Sequence, residues 1–288
     1  MNFLLISIAC SVAVSVLLKL ARKNGIGLTQ AVAVNYPVAA LLSLVFLKPD
    51  WHNWQSALLP QSWLLALLGV LLPSVFVIMG RAAEQAGIVK ADAAQRLSLF
   101  LPVLAAFVLF GETLSSNKII GIVLAFAALC CLLYKGRGSA AAKGSVPLLL
   151  GVWAGYGIID ILLKQLSKTA ATADYLSVMF ALAALLMAGY LVVRRQKWSR
   201  RDIGGGILLG CLNFTNILFY LKAHKAFKDD PTLVFTAMNM GVIVAGTLVG
   251  TLLLREKISA VNVAGIVLAL AAVACLSYWP QLAAWLGM

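Results

Sequence analysis

The charge-free stretches of this chain decide what it can become. Ten of them follow one another: Met1–Leu18, Asn24–Leu47, Asn53–Gly80, Leu97–Gly111, Ile119–Tyr134, Gly144–Ile159, Tyr175–Val193, Ile203–Leu221, Pro231–Leu254 and Ile258–Met288. A bilayer core about 30 Å thick is crossed by about 20 apolar helical residues. Ten runs near that length predict an all-α integral membrane protein with ten transmembrane helices. Apolar residues make up 62% of the chain and charged residues 11%, against roughly a quarter charged in soluble domains. One water-soluble core cannot hide that much apolar surface. The connections are short, so they hold no extramembrane domain.

The runs are also not independent. "GIVLAFAALCCLLY" (Gly121–Tyr134) returns as "GIVLALAAVACLSY" (Gly265–Tyr278). The same shift of 144 residues lays Glu112-Thr-Leu-Ser on Glu256-Lys-Ile-Ser, and Tyr36-Pro-Val-Ala-Ala-Leu-Leu on Phe180-Ala-Leu-Ala-Ala-Leu-Leu. Val16-Leu-Leu-Lys19 matches Ile161-Leu-Leu-Lys164 one residue further on. Polar punctuation aligns along with the apolar residues, which shared composition alone does not produce. The expected organisation is two five-helix repeats, 1–138 and 145–288. Five is odd, so the second repeat enters the membrane from the opposite side. Inverted repeats of this kind place a substrate site between the halves near the bilayer midplane.

Two motifs connect this plan to a family. "FGETLSSNKIIG" (Phe110–Gly121) and "LREKISAVNVAG" (Leu254–Gly265) resemble the turn before the last helix of each half in the drug/metabolite transporter superfamily, EamA-like branch. The resemblance covers essentially the whole chain. It implies ten helices, a central cavity, transport of a small organic metabolite and a multi-pass location in the cytoplasmic (inner) membrane. "VLLKLARKNG" (Val16–Gly25) is similar to the end of the first helix in small multidrug-resistance proteins. Those carry a glutamate eight residues before the lysine; here Ser11 and Tyr156 stand at that distance from Lys19 and Lys164.

Helix length shows which polar groups are drawn into the membrane. Leu97–Gly111 spans about 22 Å at 1.5 Å per residue, too short to cross. The fourth helix is therefore expected to extend back through Gln95 and Arg96, and the sixth to take in Asp160 and approach Lys164. A charge at the bilayer centre costs at least about 2.5–3.5 kcal/mol, so it persists when paired or when facing a wet cavity. Ser7, Ser11, Ser15 and Lys19 recur every four residues, and Val152, Tyr156, Asp160 and Lys164 occupy the matching places. Residues four apart share a helix face. The two stripes are expected as opposing cavity walls.

The bland alternatives stand beside that reading. The serines could be interhelical glue, the lysines could snorkel to headgroups, and Asp160 with Lys164 could be a closed ion pair. Gln95 and Arg96 align with Asn239 and Met240, which puts an amide at one depth in both halves. Asn213, Asn216 and Tyr220 share a face and align with Gly69, Leu72 and Phe76, so more polar groups come from the second half. These asparagines fit either a binding role or interhelical hydrogen bonds. Trp153 and Tyr156 could stack on a substrate or simply pack. Gly151xxxGly155, Gly206xxxGly210 and Gly246xxxGly250 have the spacing of close helix contacts. Pro37, Pro73 and Pro102 lie within helices and are expected to bend them.

Together these residues predict a secondary transporter. Lys19, Arg96 and Lys164 outnumber Asp160, which favours a small anionic or zwitterionic organic molecule, amino-acid-like. Asp160 is the candidate for proton coupling. A proton-coupled multidrug or cation exporter is the alternative, followed by a lipid-modifying membrane enzyme. The enzyme would need clustered His, Asp or Glu, whereas His52 and His224 each read as isolated, solvated loop residues. A non-transporting assembly subunit would need no buried charge. No nucleotide-binding motif is present, so gradients are expected to drive transport.

No cofactor is expected, and the five cysteines, all in apolar runs, lack metal-ligand spacing. The net charge of +13 sits between helices, where it meets lipid headgroups rather than nucleic acid. A monomer is expected rather than a homodimer. "SIAC" (Ser7–Cys10) faintly resembles a lipoprotein cleavage box, but no basic residue precedes it, so no removable signal peptide is expected. Lys and Arg number 16 in odd-numbered connections and 7 in even-numbered ones. The positive-inside rule then puts both termini outside, while the family resemblance implies both inside.

Overall fold

A computed structural model describes residues 2–49, 59–85, 88–133, 146–168, 172–194, 198–254, 260–277 and 279. The described residues are helical with short connections. In chain order the helices are α1 (Asn2–Lys23), α2 (Leu28–Leu47), a single 3-10 turn at Leu59–Gln61, α3 (Ser62–Gln85), α4 (Ile88–Leu97), α5 (Phe100–Val108), α6 (Ser116–Leu133), α7 (Val146–Ser167), α8 (Thr172–Arg194), α9 (Arg200–Ala226), α10 (Pro231–Leu254) and α11 (Ala260–Ser277). Six spans are long and apolar enough to cross a bilayer, those in α2, α3, α7, α8, α9 and α10. Four shorter apolar segments accompany them: Asn2–Leu18, Ala94–Val108, Ser116–Cys131 and Val263–Leu276. Large apolar side chains such as Leu185, Val192, Val193 and Leu252 face outward, as lipid-facing surfaces do.

The fourth apolar run is two helices rather than the single one expected. Pro102 has no N–H to offer the Ser98 carbonyl, which takes the Leu101 N–H instead at 3.0 Å. The Leu97 carbonyl thereby loses the partner it would have in a regular α-helix. The Ser98 hydroxyl turns back onto the Gln95 carbonyl at 2.6 Å. The chain tightens at Ser98–Leu99 and restarts as α5.

Packing follows the 144-residue correspondence. α1 lies on α9, and its counterpart α7 lies on α3. α2 lies on α9, and α8 lies on α3. α1 meets α10, and α7 meets α4 and α5. α2 with α8, α5 with α10 and α6 with α11 pair with their own counterparts. Exchanging the halves therefore returns the same main contacts, though not every smaller one. The α7–α9 contact is more extensive than its counterpart between α1 and α3, so the second half is knit more tightly through its polar helices.

Close helix packing explains two of the glycine pairs, one of them by direct backbone approach. A Cβ on Gly206 would sit 2.7 Å from the Ala31 carbonyl oxygen, and one on Gly210 2.8 Å from that of Asn35. These glycines let α9 lie directly on α2. A Cβ on Gly155 would meet Val75 of α3. Gly246 has nothing within 4 Å, so the third motif does not mark a close contact there. Gly210→Ala is expected to lower stability by about 1–3 kcal/mol through overpacking. Gly246→Ala should be neutral or slightly stabilising, since alanine is the better helix former. Thermal melting of the two purified variants checks this; equal losses would remove close packing as the cause.

Candidate functional site

The polar residues fall into three groups. The first lies between α7 and α9. Tyr220, near the C-terminal end of α9, donates its hydroxyl to Asp160 Oδ1 at 3.1 Å. Lys164 is 1% exposed, which excludes snorkelling. Its ammonium donates to the carbonyls of His224 at 3.4 Å and Lys228 at 3.1 Å. The first carbonyl belongs to the last turn of α9 and the second to the turn that follows it, where a cation offsets the helix dipole. Asp160 and Lys164 are not an ion pair; each has taken a separate partner on α9.

The second group binds α1, α2 and α9 together. Ser7 Oγ donates to Asn216 Oδ1 at 2.6 Å, and Asn213 Nδ2 donates to Asn35 Oδ1 at 3.1 Å. Ser7 and Asn35 are fully buried. Among the described residues Ser15 bonds its own helix, at the Ser11 carbonyl. This is the interhelical-glue alternative for Ser7 and the two asparagines. Lys19 lies in α1, and its side chain falls outside the described residues.

The third group surrounds the break in the fourth run. Trp153 Nε1 donates to the Leu97 carbonyl at 3.1 Å, the carbonyl that the break released. Gln95 and Arg96, in the last turn of α4, are half-buried, and α4 packs on α7. Tyr156, one turn on from Trp153, is half-buried against the core. Trp153, Tyr156, Gln95 and Arg96 thus gather where α4 meets α7. Asn239, the matching amide on α10, donates to the Phe235 carbonyl of its own helix at 3.0 Å. Two cavities are described, both bordered by α2 and α8, and neither is lined by a residue of these three groups.

The sequence reading missed two side chains. His224 was expected in a solvated loop; it is fully buried in the last turn of α9. Its ring lies edge-on between Tyr220 and Phe235, at 4.7 and 4.8 Å between centroids. Neither ring nitrogen has a hydrogen-bond partner among the described residues. The flanking Lys222 and Lys225 are exposed and made the segment look like a loop, although they occupy the outer face of a continuing helix.

Glu112 served only as an alignment mark, and it proves to be a structural hub. Gly111 adopts φ +70°, and the Glu112 N–H closes onto the Ala106 carbonyl at 3.0 Å, a left-handed glycine stop after α5. The turn swings the carboxylate inward onto α10. Glu112 Oε2 accepts from the Thr232 N–H at 3.1 Å and the Thr232 hydroxyl at 2.7 Å. Lys118 Nζ lies 2.8 Å from Glu112 Oε1 and 3.3 Å from Asp230 Oδ1. The carboxylate caps the first turn of α10, where the helix dipole favours a negative charge. It joins the first half of the chain to the second. The signal lay in the Phe-Gly-Glu string: a glycine stop followed directly by an acid after an apolar helix.

Long apolar helices around buried polar groups define a multi-pass membrane protein. The chain belongs to the EamA-like transporter family, within the drug/metabolite transporter superfamily; that family's pattern matches residues 144–278. An uncharacterized protein of Haemophilus influenzae (strain ATCC 51907 / DSM 11121 / KW20 / Rd) is 52% identical over 292 residues, 99% of this chain and 100% of that one. A solved protein crystal structure superposes with a TM-score of 0.73 across 97% of this chain and 99% of the other, at 15% identity, a likeness of fold alone. Proteins of this family are transporters, so membership points to membrane transport rather than catalysis.

Proposed function

We propose that the chain is a secondary transporter of a small anionic or zwitterionic, amino-acid-like metabolite in the cytoplasmic membrane. It works by alternating access between two inverted five-helix repeats, 1–138 and 145–288, together making ten crossings. A single chain carries both halves, so it acts as a monomer. The observation that carries the reading is the exchange of helix neighbours under the 144-residue shift, the arrangement that places a substrate site between halves. The substrate class rests on Arg96. Its guanidinium belongs to a half-buried turn of α4 and suits bidentate contact with a carboxylate or phosphate. Trp153 and Tyr156 supply aromatic faces beside it. Lys164, held by the end of α9, supports the site indirectly, and Lys19 completes the cationic set from the first half. Asp160 favours proton coupling, and it is also the feature that would suit a proton-coupled exporter of cations.

Uptake of a mixed metabolite pool into proteoliposomes, read by mass spectrometry, tests the proposal. Accumulation of amino-acid-like or other anionic solutes is expected; accumulation confined to organic cations would establish the exporter reading instead. With the substrate in hand, Arg96→Met is expected to weaken binding by at least about tenfold, and Arg96→Lys by less, because lysine keeps the charge but loses the fork. Unchanged affinity in a correctly inserted Arg96→Met protein would remove Arg96 from the site.

A further inference from the structure

Of the two cavities outside the groups above, one is lined by charged side chains. It is an open cavity of about 300 Å³ between the start of α2, the end of α3 and the end of α8. All three helix ends adjoin odd-numbered connections, so the cavity opens at one face of the bundle, at the depth where a spanning helix meets headgroups. Arg81 and Arg194 line it, together with Thr29, Phe76 and Tyr190. The Arg194 guanidinium lies 5.7 Å from the centroid of the Tyr190 ring, a cation–π distance that steadies it. No described carboxylate lies within ion-pair distance of either arginine. Both arginines are exposed and line the same cavity, so two like charges make its mouth positive. An anion there would offset that charge.

We propose that this cavity binds a phosphate group, held by Arg81 and Arg194 as a pair. Arginine matches phosphate bidentately and is less strongly hydrated than lysine. The Thr29 hydroxyl adds a donor, and the N–H groups of Leu28 and Thr29, at the start of α2, have no intrahelical carbonyl acceptors. Phe76 and Tyr190 give the cavity an apolar wall, suited to a phosphate carried on an organic body. Two sources share this chemistry: the headgroup of an anionic phospholipid, and a free phosphate or phosphate ester. Two positive charges favour a headgroup with no cation of its own, so phosphatidylglycerol is preferred over phosphatidylcholine. The site is separate from Arg96 and does not depend on which metabolite the transporter carries.

The test uses the full chain and needs no transported substrate. Protein is reconstituted in bilayers of equal phosphatidylglycerol and phosphatidylcholine, and the lipids retained on release are counted by native mass spectrometry. In parallel, thermal melting in detergent is followed with and without millimolar inorganic phosphate. The controlling variant is R200Q/R201Q, which removes two exposed charges from the same face outside the cavity. The expected result is selective retention of phosphatidylglycerol that falls at least about tenfold in R81Q/R194Q, as loss of charge-assisted bonds predicts, and persists in R200Q/R201Q. Stabilisation by inorganic phosphate that disappears in R81Q/R194Q, with lipid retention unchanged, assigns the site to a free phosphate. R81Q/R194Q behaving as wild type in both arms overturns the proposal. Equal losses in R200Q/R201Q overturn it too, since the effect would then be general surface charge. If the double variant does not insert, R81Q and R194Q singly carry the same comparison, each with a partial loss expected.

Discussion

Glu112→Ala is expected to be among the most damaging single substitutions in this protein. It removes the only acceptor described for the Thr232 N–H and hydroxyl, and it leaves Lys118 with Asp230 alone. The Glu112 side chain is 1% exposed, so solvent cannot replace it. Breaking a buried ion pair from one side costs about 3–5 kcal/mol, and loss of a helix cap adds to the same figure. Glu112→Gln keeps an acceptor for Thr232 while losing the charge, and should cost about 1–3 kcal/mol. The order wild type, Glu112→Gln, Glu112→Ala in melting temperature is the checkable result. Equal melting of all three would mean that the carboxylate holds nothing.

Asp160→Asn is expected to separate two activities that a purely structural change would reduce together. The amide can still accept from Tyr220 at the position of Oδ1, so the α7–α9 contact survives. What the amide cannot do is take up and release a proton. Under the coupling proposal, accumulation driven by a pH gradient is lost, while exchange of substrate at equal pH continues. Lys164 is engaged with the end of α9, so loss of the carboxylate does not strand a salt-bridge partner. Full pH-driven accumulation by the Asp160→Asn protein would exclude Asp160 as the proton carrier.

Much of the architecture was legible because the relevant physics is one-dimensional. A helix crossing a membrane must be apolar for a fixed length, so the runs and their duplication can be read along the chain. That Arg96 and Asp160 lie within helices followed from length alone. Pairings between distant helices were not legible in that way. Ser7 could be matched with Lys19 on one face, but nothing in the spacing says that its partner is Asn216, 209 residues away. Asp160 and Lys164 looked like a pair because they are one turn apart. Two better partners on α9, a phenol and a set of helix-end carbonyls, decided otherwise. The break at Ser98–Leu99 had a visible cause in Pro102, and the sequence reading took that proline for a bend rather than a stop.

That break has a mechanical consequence. The last carbonyl of α4 belongs to the indole of Trp153, so α4 is tethered to α7. The terminal turn of α5 belongs, through Glu112, to the start of α10. The fourth run is therefore two levers with separate anchors, and between them lie only Ser98 and Leu99. α5 also packs on α7, so displacement of α7 against α10 loads both that contact and the few torsions of the joint. Stiffening those two residues would lock the two levers into one rod, and the anchors at either end could then move only as a single body.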